Sequence, residues 1–491
     1  MKIFLTIILS VTLLFGSANL LAAAGESTVI RNATLISTIS MEVQPGVDVL
    51  IVGGKIAQIG KDLMVSASRE IDASGRFLIP GLIDAHTHLS GVPGMSYEQA
   101  QNNSDVAAQA YRQIPLSYLY HGFTTVIDLH SNAESIAAWN AQALRPTAYF
   151  CGAAPLLDGY PTNFMPASIR AQVTPYYLLG DRPLPKSSEP ANHSPQAVVQ
   201  RMVGDGAICV KTHFETGFGS VKNLPTPTVE LIQELVANAH QQGLKVLLHA
   251  NSQSAQQFGI AAGVDAFVHG LWTWDDAHAS AINDPVAALI DDAVAAGIVL
   301  QPTIQVLMGE RDLHDPDYLN HNSIQHAVPA SLVKWYDSPD GQTFRMQMRE
   351  VPYVQRLLAE SGWQQINAAP LKRVTAATKQ WVKQGGKLFF GSDTPSDMTY
   401  ANPPGLNGRM EMQQWHAMGI GLEQLLASAT IENAKFFGLA KELGSIDVGK
   451  RADMLLLSKN PLLTISAYDS IDWVMIGGRI NAREKLSALS E

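Results

Sequence analysis

Gly81-Leu82-Ile83-Asp84-Ala85-His86-Thr87-His88 is a short apolar run that a glycine opens and two imidazoles close. The run Leu82 to Ala85 reads as a buried strand. In extended chain, side chains two residues apart point the same way, so His86 and His88 can face one metal ion. Outward from this strand, seven more short apolar runs follow: Thr124 to Leu129, Thr147 to Cys151, Ala207 to Lys211, Lys245 to His249, Ala266 to His269, Ile298 to Thr303 and Leu388 to Ser392. Stretches of helical period separate them, such as Thr228 to Gln242, with Leu231, Leu235 and Ala239 four apart, and Pro285 to Ala296, stopped by Gly297. Eight strands alternating with helices predict an α/β chain with a (β/α)8 TIM barrel over residues 81–439. Such barrels deliver their chemistry at the C-terminal strand ends, where His86 and His88 fall.

Two stretches, 155–196 and 305–369, are too long for ordinary loops. Both follow strands and are expected to cover the barrel mouth as lids. The first is rich in apolar residues, among them Tyr176, Tyr177, Leu178 and Leu179, and the second holds Trp335, Tyr336 and Trp363. These seven suit either an apolar substrate side chain or contacts in a homo-oligomer. Short strands and turns fill residues 25–80 and return over 440–491. Neither piece can bury a core alone, so one small β-sandwich domain built from both termini is expected.

Residues 1–24 carry Lys2, an apolar run from Ile3 to Phe15, and Ala22-Ala23-Ala24 at their end. That is the pattern of a signal peptide cut after Ala24, which predicts a periplasmic or secreted protein with no stable membrane anchor after cleavage. With 34 Lys and Arg against 44 Asp and Glu, the net charge of −10 argues against nucleic acid as a partner. The 46% hydrophobic and 16% charged residues supply a large core and exclude disorder. Two cysteines exclude a Cys-ligated zinc site. Export permits a bridge between Cys151 and Cys209, but two free buried thiols are the expectation.

His249 and His269 each end a predicted strand, and with His86 and His88 they bring four imidazoles to three strand ends. Asp393 closes the last strand, where a carboxylate can ligate metal and accept a proton from bound water. Lys211 ends an apolar strand, where an unpaired ammonium is costly. Three states relieve that cost: an ion pair with Glu215, a deprotonated amine, or carboxylation by CO2.

The run from Gly81 to His88 resembles the first-strand signature of the amidohydrolase superfamily, and Gly122-Phe123-Thr124-Thr125-Val126-Ile127-Asp128-Leu129 is similar to its second. Asn433-Ala434-Lys435, and Leu443 through Asp453, are similar to its closing stretch. The likeness is to the branch of imidazolonepropionase-like proteins and metal-dependent Xaa-Pro dipeptidases. It implies a distorted barrel and two divalent metal ions, zinc first, with manganese or cobalt also compatible. His86 and His88 would hold one ion and His249 and His269 the other, with carboxylated Lys211 as bridge and Asp393 as ligand and general base.

The resemblance implies hydrolysis of an amide C–N bond in a small molecule such as a dipeptide or N-acyl amino acid, by metal-bound hydroxide. His269, or a lid residue such as His130, Tyr160 or Tyr318, would steady the oxyanion or grip a carboxylate. Arg170, Arg182, Arg311 and Arg409 are alternative grips. Family deaminases pair the fifth-strand histidine with a nearby Glu, which His249-Ala250-Asn251-Ser252-Gln253 lacks, so deamination ranks behind hydrolysis. A mononuclear cyclic-amide hydrolase or deaminase, with Lys211 paired to Glu215, is the alternative. A non-catalytic binding protein on the same scaffold ranks last.

Overall fold

The computed structural model describes residues 27–490 apart from 184–188, 219–220, 277–278 and 397, so the expected signal peptide, 1–24, lies outside the described residues. Five short strands come first: β1 (Ser27–Ile36), β2 (Val43–Val52), β3 (Lys55–Gly60), β4 (Arg69–Asp72) and β5 (Phe77–Pro80). Gly53 and Gly54, at φ 57° and 77°, make the tight turn between β2 and β3, a backbone shape that disfavours side chains. At Gly81 the chain passes from β5 straight into β6 (Leu82–Thr87). A Cβ there would collide with the Thr124 side chain, so glycine permits the close approach of the next strand.

Strands β7 (Phe123–Ser131), β8 (Thr147–Ala153), β9 (Cys209–His213), β10 (Lys245–His249), β11 (Ala266–Val268) and β12 (Val299–Gln301) follow. β6 to β12 pair in chain order, all parallel, as one curled seven-stranded sheet. Helices between them bury one stripe each. Val229–Gln241 starts where Thr228 accepts a hydrogen bond from Leu231 N, and it buries Ile232, Leu235, Val236 and Ala239. Asp284–Ala295 is capped by Asn283 and buries Val286, Leu289, Ile290 and Ala293.

The eighth expected strand, Leu388 to Ser392, is not a strand. It makes single bridges instead, Leu388 to Leu300 of β12 and Thr394 to Thr87 of β6. Side chains take backbone groups that a ladder would use: Phe390 N donates to Asn433 Oδ1 (3.0 Å) and Ser392 N to Asp84 Oδ1 (2.9 Å). Asp393 then turns the chain with a φ of 57°.

The chain's end adds β13 (Met454–Leu457), β14 (Ile471–Ile476) and β15 (Arg479–Ala482). These join the opening strands in a separate, mostly antiparallel sheet of order β15-β14-β13-β5-β1-β2-β3, with β4 beside β1. The expected composite of both termini is thus one hydrogen-bonded sheet of eight strands. Its core draws on both ends, with Ile30, Val49, Leu78, Met454 and Met475 buried together.

The two long stretches differ. In 155–196, Tyr160, Pro161, Met165 and Val173 wall the cavity at the strand ends, as a lid should. The stretch 305–369 is instead largely helical, and Leu313, Tyr318, Ile324, Leu332, Trp335 and Tyr336 pack with Val92 and Ala107 in a core of their own. Tyr176, Tyr177, Leu178, Leu179, Trp335 and Tyr336 are all buried, and none of them lines the cavity at the strand ends. Trp363 is partly exposed, with the Arg311 guanidinium over its ring. The expectation of free thiols also fails: parallel pairing sets Cys151 of β8 against Cys209 of β9, their Cα atoms 4.4 Å apart, and they form a disulfide.

Candidate metal centre

The parallel sheet brings the ligand-type residues to one end. His86 is the next-to-last residue of β6 and His88 lies just past it, Lys211 is at the middle of β9 and His213 at its end, His249 ends β10, His269 follows β11, and Asp393 closes the segment after β12. All line one cavity of about 400 Å³, together with Ser90, His130 and Tyr160. Within it, His86, His269 and Asp393 present ligand atoms that all lie within 4.8 Å of one another. Asp393 Oδ1 is 3.2 Å from His86 Nε2 and 3.1 Å from His88 Nε2, and Oδ2 is 3.9 Å from His269 Nδ1. The His249 ring lies 4.6 Å from that of His269. The donor set fits a borderline divalent ion: three converging imidazole and carboxylate donors, with two more imidazoles and a lysine alongside.

Neighbours fix the rings. His86 Nδ1 is 2.7 Å from Gln301 Oε1 on β12, which leaves Nε2 to face Asp393. His269 Nδ1 is 2.7 Å from Thr303 Oγ1. His269, Thr303 and Asp393 hold φ values of 85°, 46° and 57°, left-handed backbone that non-glycine residues rarely adopt and that clusters at functional sites. Asp84 anchors the Asp393 segment through Ser392, whose Oγ donates to Asp84 Oδ2 (2.5 Å).

Burial dominates the electrostatics of the site. Burial, with Lys211 and His269 nearby, pushes the His86 imidazole well below its usual range, and burial with His249 and Lys211 does the same to His269. Burial also lowers His249, against the opposing effect of Glu215, whose carboxylate accepts from its ring. Such rings are neutral at pH 7 and offer a lone pair. His88 moves the other way: burial lowers it, but the Asp393 hydrogen bond and charge outweigh that. Burial lowers the Lys211 ammonium to about 7, with Asp393 pulling it back.

One alternative reading and two sets of candidate residues are corrected. Lys211 does not pair with Glu215, whose Oε2 accepts from Asn251 Nδ2 (3.1 Å) and lies 3.4 Å from His249 Nε2. Tyr318 is remote from the cavity, buried with its hydroxyl donating to Ala401 O (2.7 Å). None of Arg170, Arg182, Arg311 and Arg409 lines the cavity, and each pairs with an aspartate, respectively Asp158, Asp181, Asp312 and Asp469. His130 and Tyr160 do line it. Sequence reasoning missed Gln301, Thr303 and His213. Of these His213 had a signal, since it lies two residues beyond Lys211 on the same strand face.

Histidines, a lysine and an aspartate gathered at the ends of parallel strands are the kind of donor set that holds divalent metal ions at a barrel mouth. The chain belongs to the amidohydrolase family, whose model matches residues 77–480. It is 25% identical over 445 residues to an adenine deaminase of Paracoccus denitrificans, covering 89% of this chain and 56% of that protein. A second adenine deaminase, of Rhizobium meliloti, is 23% identical over 468 residues, covering 93% and 58%. The chain thus spans somewhat over half the length of these curated relatives. Among solved structures, it superposes on a Xaa-Pro dipeptidase with bound methionine (TM-score 0.63, 22% identity, 93% and 100% of the two chains). It also superposes on the ochratoxinase of A. niger (TM-score 0.64, 19% identity, 93% and 96%).

Proposed function

We propose that the protein is an exported amidohydrolase that cleaves the amide bond of a dipeptide or N-acyl amino acid. The observation that carries this reading is the convergence of His86, His88, Lys211, His249, His269 and Asp393 on one cavity. His86, His88 and Asp393 would hold one divalent ion and His249 and His269 a second, with Lys211 between them; zinc suits the donors, and manganese or cobalt also fits. When bound, such ions acidify water and polarise a carbonyl. Asp393 accepts the proton of the attacking water and returns it to the leaving nitrogen. Lys211, lowered to about 7, offers a free amine at neutral pH that adds to CO2 with loss of a proton, and the resulting carbamate is an anion suited to the space between two cations. Gln301 and Thr303 hold the His86 and His269 rings. The segment after β12 serves as the eighth stave of the barrel. Tyr160, Pro161, Met165 and Val173 form an apolar wall for the acyl group.

The test is turnover of the zinc-loaded protein on a panel of dipeptides and N-acyl amino acids, read as amine release. Cleavage of a subset that stops on chelation and returns with metal supports the reading; no cleavage across the panel overturns it. Export is tested by the N-terminal sequence of the protein isolated from culture, which should begin at Gly25.

One observation favours a second reading, deamination. Glu215, from the loop after β9, brings to His249 the carboxylate that the fifth-strand sequence lacks, and relatives of the chain are adenine deaminases. Ammonia release from adenine, abolished in Glu215→Gln, would move this reading to the front.

A further inference from the structure

We infer that one face of the helix Leu406–Ala417 sets the positions of Asp393 and His269, Asn407 by holding the turn at Asp393 and Glu411 by freeing Thr303 to bond the His269 ring. The inference rests on the metal-dependent reading of the cavity and adds two positioning residues to it. Asn407 and Glu411 stand four apart, so one helical face presents both. Both are fully buried and neither walls the cavity, so their action on the centre runs through other residues. Gly408 lets the helix come close, since a Cβ there would sit 2.6 Å from the Phe123 ring of β7.

The turn at Asp393 lacks the ladder that a barrel strand would give it. Asn407 Nδ2 supplies a donor instead, to Ser392 O at 2.9 Å and to Thr394 Oγ1 at 2.7 Å, and so grips the residues on both sides of Asp393. Ser392 N and Oγ donate to Asp84, so the left-handed Asp393 backbone is held from the sheet and from the helix at once. Glu411 acts at a second left-handed turn. Thr303 is the N-cap of the helix Ile304–Asp312, where a threonine hydroxyl ordinarily accepts the N–H of the second or third helical residue. Here it makes no such bond: Glu411 Oε2 accepts from Gln305 N, the second helical residue, at 2.7 Å. Thr303 Oγ1 is thereby left to the Nδ1 of His269, 2.7 Å away. The other Glu411 oxygen accepts from Trp415 Nε1 (2.8 Å), so the buried carboxylate is engaged at both ends, as its burial requires.

The experiment uses the purified protein loaded with zinc, or with cobalt as a visible probe of ligand geometry. Two quantities are read: the zinc Kd in competition with a chelator, and the cobalt absorption spectrum. Asn407→Leu and Glu411→Leu should each weaken zinc about tenfold or more and alter the cobalt bands, and Glu411→Gln, which keeps an acceptor for Gln305 N, should recover part of the affinity. Met475→Ala, in the core of the separate sheet, shows what lost stability alone does, and it should leave both readings at wild type. In a Thr303→Val background, Glu411→Leu should cost less than about twofold further, since its path to His269 is already cut. Should a Leu variant be insoluble, Asn407→Ser and Glu411→Gln carry the test, each expected to weaken zinc about threefold or more. Wild-type affinity and spectrum in the variants at either position, the same changes in Met475→Ala, or an undiminished Glu411 effect in Thr303→Val would each overturn the proposal. If the wild type holds metal but cleaves no amide in the panel, the amide reading fails while the positioning helix stands; if it holds no metal, the metal-centre reading and the positioning helix fail together.

Discussion

At Lys211, burial and charge work against each other, and the outcome can be read as a pH dependence. Its ammonium, lowered to about 7 by burial against the pull of Asp393, stays protonated up to the ordinary value of 10.5 once the chain unfolds. Between pH 7 and 10.5 the unfolded chain therefore holds a proton that the folded chain has released, so stability rises with pH across that window. In metal-free, CO2-depleted buffer, wild type should gain on the order of a few kcal/mol relative to Lys211→Met between pH 7 and 10, measured by urea unfolding at each pH. A gap that stays constant would contradict a buried, unpaired lysine. Gln301 makes a different prediction. It orients His86, so Gln301→Leu should weaken zinc binding about 10–100-fold in competition with a chelator while the metal-free melting temperature changes little. Residues of this kind set the limit of what sequence shows. His86, His88, His249, His269 and Asp393 were legible because each follows a short apolar run and histidine is scarce. Gln301 and Thr303 were not, since only the folded sheet reveals that they touch an imidazole. A Lys211–Glu215 ion pair was one alternative that closeness in sequence suggested, but the chain turns after His213 and carries Glu215 to His249 and Asn251.

Strands were more legible than the links between them. Seven of the eight expected barrel strands form within a few residues of their expected limits, because continuous apolar runs in a parallel sheet leave a clear mark. The eighth departs because Asp84 and Asn433 bind its backbone groups, and nothing in its own residues announces that. The stretch 305–369 looked like a lid because its His, Asp and Tyr residues conceal a helical pattern whose apolar face packs on Val92 and Ala107. The Cys151–Cys209 bridge belongs to this scale as well, since it depends on β8 and β9 being neighbours in register. Closing a loop across 58 residues of sequence, it should contribute about 4 kcal/mol through the entropy of the unfolded chain. The double variant Cys151→Ser, Cys209→Ser should lower the denaturant midpoint accordingly; an unchanged midpoint would count against a bridge in the native protein.

The whole molecule depends on its two ends meeting. β13 lies between β14 and β5, and β5 runs straight into β6 with its cavity-lining His86. Stopping the chain before Met454 would strip one of the two pairing partners from β5 and expose Leu78 and Ile79, which are fully buried in the intact protein. Such a truncation should give insoluble protein rather than a smaller active enzyme, checked by the soluble fraction on expression and by circular dichroism. The central claim, that these folded ends support a two-metal amidohydrolase centre bridged through Lys211, is tested most directly by metals per chain. Elemental analysis of the purified protein, after growth with added zinc, should give about two per chain for wild type and a clear deficit for Lys211→Met. About one per chain in both would contradict the bridged centre and leave Lys211 outside the metal site.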